Sequence, residues 1–201
     1  MDAWFPIETE RLILREFRIS DEPDIHEYAS DPEVVRFTDW GPNTHDVTQA
    51  VLRRWLKEQE HGLEHSVTLA IELKIEKRLI GTIRIDVKDE RTRTADFGYS
   101  MNRRYWNQGY TTEAAHALID AAVRRLGLRR IWATCDTRNV ASYRVMEKLG
   151  MRREATFHKD VLQKGEWRDS YLYAILAEEW LAQEAAKAES AEELESRAAG
   201  V

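Results

Sequence analysis

Two short stretches hold residues whose types and spacing could serve one chemistry. The first is Asn107-Gln108-Gly109-Tyr110-Thr111-Thr112, between residues 96–101, which alternate like a strand, and an Ala-rich run at 113–126. A strand, a Gly-bearing turn and a capped helix start, with Thr111 or Thr112 as the cap, gather free backbone N–H groups at one point. Such a point favours anions. The pattern predicts a phosphate-bearing ligand at residues 107–112, against the plain alternative of a βα turn that binds nothing. Neither Gly-x-x-x-x-Gly-Lys-Ser/Thr nor Gly-x-Gly-x-x-Gly occurs, which excludes P-loop and dinucleotide chemistry. The second stretch is 139–150, where helical spacing sets Ser142, Val145, Met146 and Leu149 on one face. Its plain alternative is a helix capped by Asn139 with Ser142 buried.

Other reactive residues carry weaker patterns. His61-Gly62-Leu63-Glu64-His65 has the His-x-x-Glu-His spacing of one group of zinc enzymes. Gly62 at an expected helix end favours a polar loop instead, and His26, His45, His116 and His158 show no ligand spacing, so no metal is expected. Cys135 ends an apolar run and reads as a buried small hydrophobe that could lie near a ligand thiol. As the single cysteine it excludes an internal disulfide and suits a reducing cytoplasm.

The elements that must position these residues follow from periodicity. Residues 8–18 read as a strand, and Ser20 or Asp21 caps a short helix to about Ser30 with Pro23 in its first turn. A loop at 31–43 carries the Asp39-Trp40 pair. Thr44 caps a helix to about residue 60 whose apolar face is Val47, Val51, Leu52, Trp55 and Leu56. Strands follow at 66–73, 79–87 and 94–101, then a helix at 112–126 ended by Gly127, and a strand at 128–136. After the helix ended by Gly150 come strands at 152–162 and 167–176, a hairpin around residues 163–166. Strands at both ends and one βαβ unit in the middle predict a mixed sheet with helices on both faces.

At 201 residues and 43% hydrophobic, the chain is expected to form one domain with a substantial core. Residues 1–180 make that domain, and 181–201 an acidic Ala/Glu-rich tail, docked by Trp180 and Leu181 and frayed beyond about Gln183. The net charge is −6, and residues 178–201 hold seven acids and two bases of it. The remaining body is nearly neutral, so nucleic acid is not expected as a partner. No apolar run reaches about 18 residues, and Met1-Asp2-Ala3-Trp4 lacks a signal-peptide pattern; neither membrane nor export is expected.

The run Tyr105-Trp106-Asn107-Gln108-Gly109-Tyr110-Thr111-Thr112-Glu113-Ala114 resembles the acetyl-CoA loop of GNAT superfamily N-acetyltransferases. It is closer to the Rim-type subgroup, which acetylates ribosomal-protein N-termini and related acceptors. Trp106 and Thr111 depart from the general Gln/Arg-x-x-Gly-x-Gly/Ala form, and Asn107 stands where the subgroup has Gly. Residues 139–150 are similar to the subgroup's Asn-x-x-Ser-x-x-x-x-x-Lys-x-Gly, and residues 9–15 to its Thr-x-Arg-Leu-x-Leu-Arg.

This resemblance implies an α/β (α+β) fold with a mixed, mostly antiparallel twisted sheet around a central acetyl-CoA unit. It implies acetyl transfer from acetyl-CoA to a primary amine, foremost the α-amine of a protein N-terminus, peptide or amino acid; the alternatives are a small-molecule amine such as an antibiotic or polyamine, or a non-catalytic acyl-CoA-binding module. Cofactor contacts would come from Met101, Arg104, Asn107, Gln108, Gly109, Tyr110, Thr111, Thr112 and Asn139. The Met101 backbone N–H would serve as the oxyanion donor, Arg104 with Arg103 would meet the 3′-phosphate, and Asn139 would bind the pantetheine. Many relatives place a tyrosine acid where this chain has Met146, so that role falls to Ser142, with Tyr143 as the second choice. Glu154 is the candidate base, acting through water, with Glu113 as its rival. Hairpin 163–168, the Asp39-Trp40 loop and the next helix start would contact the acceptor. The tail leaves a homodimer open.

Overall fold

The computed structural model describes residues 5–60 and 66–199. The His-x-x-Glu-His pattern at 61–65 lies outside them. Eight strands form one sheet: β1 (Ile7–Glu8), β2 (Leu12–Arg15), β3 (Ser66–Leu73), β4 (Arg78–Asp89), β5 (Thr94–Met101), β6 (Arg130–Asp136), β7 (Arg152–Gln163) and β8 (Glu166–Leu176). Their spatial order is β1-β2-β3-β4-β5-β6-β8-β7, antiparallel except for the parallel pair β5–β6. Five helices flank the sheet: α1 (Glu22–Ala29), α2 (His45–Glu60), α3 (Tyr110–Leu126), α4 (Val140–Lys148) and α5 (Ala177–Ala199).

The two faces carry separate cores. On one, Ala114, Leu118, Ile119 and Ala122 of α3, Met146 of α4 and Trp180 of α5 pack on Ile83, Ile85, Phe97, Ile131, Ala133 and Cys135. On the other, Ile25, Tyr28 and Ala29 of α1 and Leu52 of α2 pack on Ala70 and Leu79. Period-2 alternation sorts each strand between the faces, so Ile131, Ala133 and Cys135 meet the α3/α4 layer while Asp136 and Thr134 turn away from it.

The expected mixed sheet with helices on both faces is present. Three details differ from the sequence reading. Residues 8–18 do not form one strand: Thr9 N donates to Leu12 O, and a tight turn folds Ile7 back onto Leu14 as a hairpin. Val47 is 46% exposed and falls off the apolar face of α2, which is carried by Leu52 with Trp55 and Leu56 partly buried. Helix α5 continues past Gln183 to Ala199, as its Ala, Glu and Lys content favours, with a Glu184–Lys187 pair at 2.7 Å.

Tertiary packing of α5 is concentrated at its start. Trp180 is fully buried, its indole Nε1 donates to Asp120 Oδ1 at 3.1 Å, and His116 of α3 pairs with Glu184 at 3.0 Å. Residues 185–193 are exposed. Trp180→Ala is therefore expected to cost about 3–5 kcal/mol. Truncation after Ala188 is expected to cost under about 0.5 kcal/mol. Urea midpoints of the two variants check both, and a tryptophan variant as stable as wild type would refute the docking role.

Candidate active site

The site begins where the sheet parts. β5 and β6 pair only at Thr94–Arg130, Ala95–Ile131 and Asp96–Trp132, although β5 runs on to Met101 and β6 to Asp136. Both strands keep their outer neighbours, so the parting is local: Met101 still sits opposite Gly81, and Asp136 opposite Ser170. Asn102 N donates to Ile80 O at 2.9 Å, which fixes the antiparallel alternation along β5. The N–H and C=O groups of Tyr99 and Met101 accordingly face away from β4, into the slot. The Met101 carbonyl accepts from Trp106 Nε1 at 2.8 Å, which leaves its N–H as the inward donor.

The N-terminus of α3 lies just past the end of β5 in the chain. Its N-cap is Gly109 in the left-handed region at φ +82°, not Thr111 or Thr112, which occupy the first turn. A glycine cap has no side chain to accept from the first N–H groups, and the first intrahelical bond is Glu113 N to Gly109 O at 3.0 Å. The N–H groups of Tyr110, Thr111 and Thr112 are thus kept for something else, at the positive end of a 17-residue helix. Asn107 adopts φ +60°, which Asn tolerates better than most residues and which explains Asn where Gly was expected. Gln108 folds back, its Nε2 donating to Arg104 O at 3.0 Å.

An acid in the first turn would repel an anion, and Glu113 is held away from it. Its Oε1 accepts from Thr9 Oγ1 at 2.6 Å and from Arg11 N at 2.9 Å, and its Oε2 pairs with the Arg11 guanidinium at 2.6 Å. Burial pushes this carboxyl up, but the Thr9 and Arg11 hydrogen bonds and the Arg11 charge outweigh burial and hold it below the usual carboxylate range. Arg11 also donates to Gln108 O at 3.0 Å and lies over the Tyr110 ring at 4.4 Å. The β1–β2 hairpin thereby clamps the loop.

On the α4 side the slot is lined by Cys135, Ser142 and Tyr99. The Tyr99 hydroxyl lies 3.0 Å from Ser142 O and 3.1 Å from Ser142 Oγ. A carbonyl only accepts, so the phenol proton goes to Ser142 O, and Ser142 Oγ–H then donates to the phenol oxygen. Burial raises the Tyr99 pKa against the opposing Ser142 bond, so it stays a neutral donor. Burial likewise pushes the Cys135 thiol up to about 11, which leaves it protonated and inert at neutral pH. Asn139 caps α4 through Oδ1, which accepts from Ser142 N at 3.2 Å, and its amide NH2 is the part left for a ligand carbonyl. The sequence motifs assign Tyr99 no role. Its signal was a hydroxylated aromatic two residues before Met101, on the same strand face as Phe97.

Two expected residues are directed elsewhere. Arg104 pairs with Glu27 of α1 at 3.3 Å, and Arg103 with Asp31 at 3.0 Å, so both turn to the α1 side and away from the α3 N-terminus. Glu154 is gripped by the Arg130 guanidinium at 3.0 and 2.5 Å, with Arg152 at 3.3 Å. Arg130 alternates with Ile131 and so lies on the sheet face opposite α4; Glu154 follows it there, away from Ser142. The Arg130 hydrogen bond holds the Glu154 carboxyl below its usual range, which weakens it as a base. A cavity of about 450 Å³ between α4 and β7–β8, lined by Tyr143, Arg153, Tyr171 and Tyr173 among others, lies beside the slot. Among the described residues no cluster of His, Cys, Asp or Glu could hold a metal, and no helix is long and apolar enough to cross a membrane.

A parted β5–β6 pair, a bare helix N-terminus beyond it and a hydroxyl at its α4 wall define an acyl-CoA-dependent transferase. The chain belongs to the acetyltransferase (GNAT) domain family, whose model matches residues 11–152. It is an acetyl-CoA-dependent N-acetyltransferase. It is 37% identical over 174 residues to the uncharacterized N-acetyltransferase YnaD of Bacillus subtilis, covering 87% of this chain and 98% of that protein. It is 26% identical over 165 residues to the L-amino acid N-acetyltransferase AaaT of Escherichia coli, covering 81% of this chain and 96% of that one. A crystal structure of a GNAT-family acetyltransferase from Bacillus anthracis superposes with a TM-score of 0.78 at 37% identity, covering 86% and 99% of the two chains.

Because the folded-state pKa of Glu113 is lowered, its contribution is present above the unfolded value of about 4.3 and is lost as pH falls through the folded value. Glu113→Gln should cost about 1–2 kcal/mol at pH 7 and flatten the acid limb of stability below about pH 4.3. Thermal midpoints from pH 7 to 3 test this; parallel curves for variant and wild type would rule out the clamp.

Proposed function

We propose that this chain transfers the acetyl group to an α-amine, that of a protein N-terminus, peptide or amino acid, within the Rim-type branch of the family. The observation that carries the reading is the Tyr99–Ser142 pair beside the inward N–H of Met101, in the slot that continues toward the α3 N-terminus. The two motifs at 105–114 and 139–150 support the branch, and the similarity to AaaT, an L-amino acid N-acetyltransferase, supports an α-amine acceptor. The catalytic domain is taken as residues 1–180, with 181–201 as an acidic extension.

Acetyl-CoA supplies a thioester carbonyl as the acyl donor. The N–H groups of Tyr110, Thr111 and Thr112 suit its pyrophosphate, with Asn107, Gln108 and Gly109 shaping the approach. The amide nitrogen of Asn139 donates toward the pantetheine arm. Met101 N–H stabilises negative charge on the carbonyl oxygen as the amine attacks. Ser142 Oγ–H turns from the Tyr99 oxygen to hydrogen-bond the departing sulfur, while the Tyr99 hydroxyl stays on the Ser142 carbonyl and so positions Ser142 for that task. A thiolate of pKa about 8.5 leaves readily, so a hydrogen bond suffices where full proton transfer from serine would not. An α-amine with a pKa near ~8 is partly neutral at pH 7 and needs little help to lose its proton. With Glu154 engaged by Arg130, that low demand favours an α-amine over a lysine.

Ser142→Ala is expected to lower kcat about 10- to 100-fold while the acetyl-CoA-induced rise in melting temperature is unchanged. Tyr99→Phe should lower kcat by about tenfold with KM for acetyl-CoA unaffected. Mass spectrometry of a panel of peptides and amino acids incubated with acetyl-CoA identifies the acceptor. Acetylation confined to polyamines or drugs would overturn the α-amine assignment. Acetyl-CoA binding without turnover of any amine would make the chain a non-catalytic acyl-CoA-binding module.

A further inference from the structure

On the sheet face opposite α3 and α4, one residue beyond Cys135, the Asp136 side chain is almost wholly buried at 3% exposure. Arg138 binds it through Nε at 3.0 Å, Nη2 at 2.8 Å and its backbone N at 2.8 Å. Arg168 reaches the same carboxylate less closely, Nη1 to Oδ2 at 3.4 Å. Two guanidinium groups thus share one buried carboxylate, which Arg138 already occupies with three donors.

Arg168 is left with its best edge nearly unused. Its side chain is 11% exposed, and its Nε is buried without a hydrogen-bond partner among the described residues. The Nη2 group, on the same edge as Nε, touches only Glu166 at 3.2 Å, and Glu166 is 67% exposed. Nε–H and Nη2–H point in parallel and match the two oxygens of a carboxylate. A buried cationic donor without a partner is costly, and such a group in a native site calls for a ligand or a functional reason.

Through Asp136, the last residue of β6, Arg168 lies at the end of a strand that borders the slot. Lys164 Nζ at the β7–β8 turn donates to Val35 O at 2.7 Å, which draws the hairpin onto the α1–α2 loop. Phe37 of that loop stacks with the guanidinium groups of Arg36 at 5.2 Å and Arg138 at 6.0 Å. This is the loop and hairpin expected from the sequence to meet the acceptor. The arginines here are accompanied by the carboxylates of Asp136, Glu166 and Asp169.

We propose that Arg168 binds a carboxylate of the acceptor, so that the enzyme selects amines that also carry an acid: free amino acids or peptides with an acidic residue near the N-terminus. Glu166 holds Nη2 until the acceptor carboxylate replaces it. This rests on the reading of the slot as an α-amine acetyltransferase centre. Arg168 is a specificity residue and takes no part in the acyl transfer.

The test uses the full chain with acetyl-CoA. Acceptors are L-amino acids, the same amino acids as amides, peptides with and without an acidic second residue, and spermidine. Wild type is expected to lose about tenfold to a hundredfold in kcat/KM when the carboxylate is amidated, mainly through KM. Arg168→Gln should erase that difference while leaving the acetyl-CoA-induced melting shift intact. Glu166→Ala, at an exposed site where folding is not at risk, should lower KM for acidic acceptors about threefold and leave neutral ones unchanged. Preference for free amino acids or for acidic peptides identifies the source of the carboxylate, and either supports the proposal. Equal turnover of acids and amides, or a preference for spermidine, overturns it. If neutral α-amines are good acceptors, only the carboxylate selection fails; if no amine is acetylated, the catalytic reading fails with it.

Discussion

The parting of β5 from β6 governs the rest of the molecule. A sheet interior ordinarily satisfies every backbone group, and forgoing that pairing past Asp96–Trp132 is tolerable only if the opened edges are held from outside. β4 holds β5 along its whole length, and β8 holds β6 through Asp136. On the α3/α4 face, α3 is the β5–β6 crossover and packs over β2 and β4, α4 packs on β6 and β8, and Tyr99 ties β5 directly to α4. The slot is therefore a rigid defect in a continuous sheet, and the inward N–H of Met101 keeps its aim without needing a ligand to fix it.

Electrostatics around the slot follow the same division. The helical face presents an α3 terminus whose acid has been drawn off into the β1–β2 hairpin, so the local field stays suited to phosphate. Cys135 and Tyr99 remain neutral in the wall, the first as an inert thiol and the second as a donor. Charged groups collect on the opposite face and around the β7–β8 hairpin.

Much of this was legible in the sequence, and the misses have physical causes. The turn at Gly109 and the cap at Asn139 were readable because backbone conformation restricts residue choice there. Thr111 and Thr112 looked like caps only because threonine caps so many helices; a ligand-binding terminus is better served by glycine, which takes up none of the N–H groups. Glu154 follows Arg153, which faces α4, so alternation turns it to the other face, where Arg152 and, from another strand, Arg130 hold it in a pairing that local spacing does not show. Arg104 went to Glu27 because pairing across elements distant in sequence is invisible to local spacing. Tyr99 and Arg168 likewise acquire meaning only from what the register sets opposite them.

The placement of Glu154 also bears on how this protein handles protons. Enzymes acting on lysine must remove a proton held at about 10.4, which calls for a base of matched strength close to the nitrogen. Here Glu154 is engaged by Arg130 and Glu113 by Arg11, and both carboxyls are held below their usual range. Arginine partners make these carboxylates weaker bases, so neither matches a demand of that size.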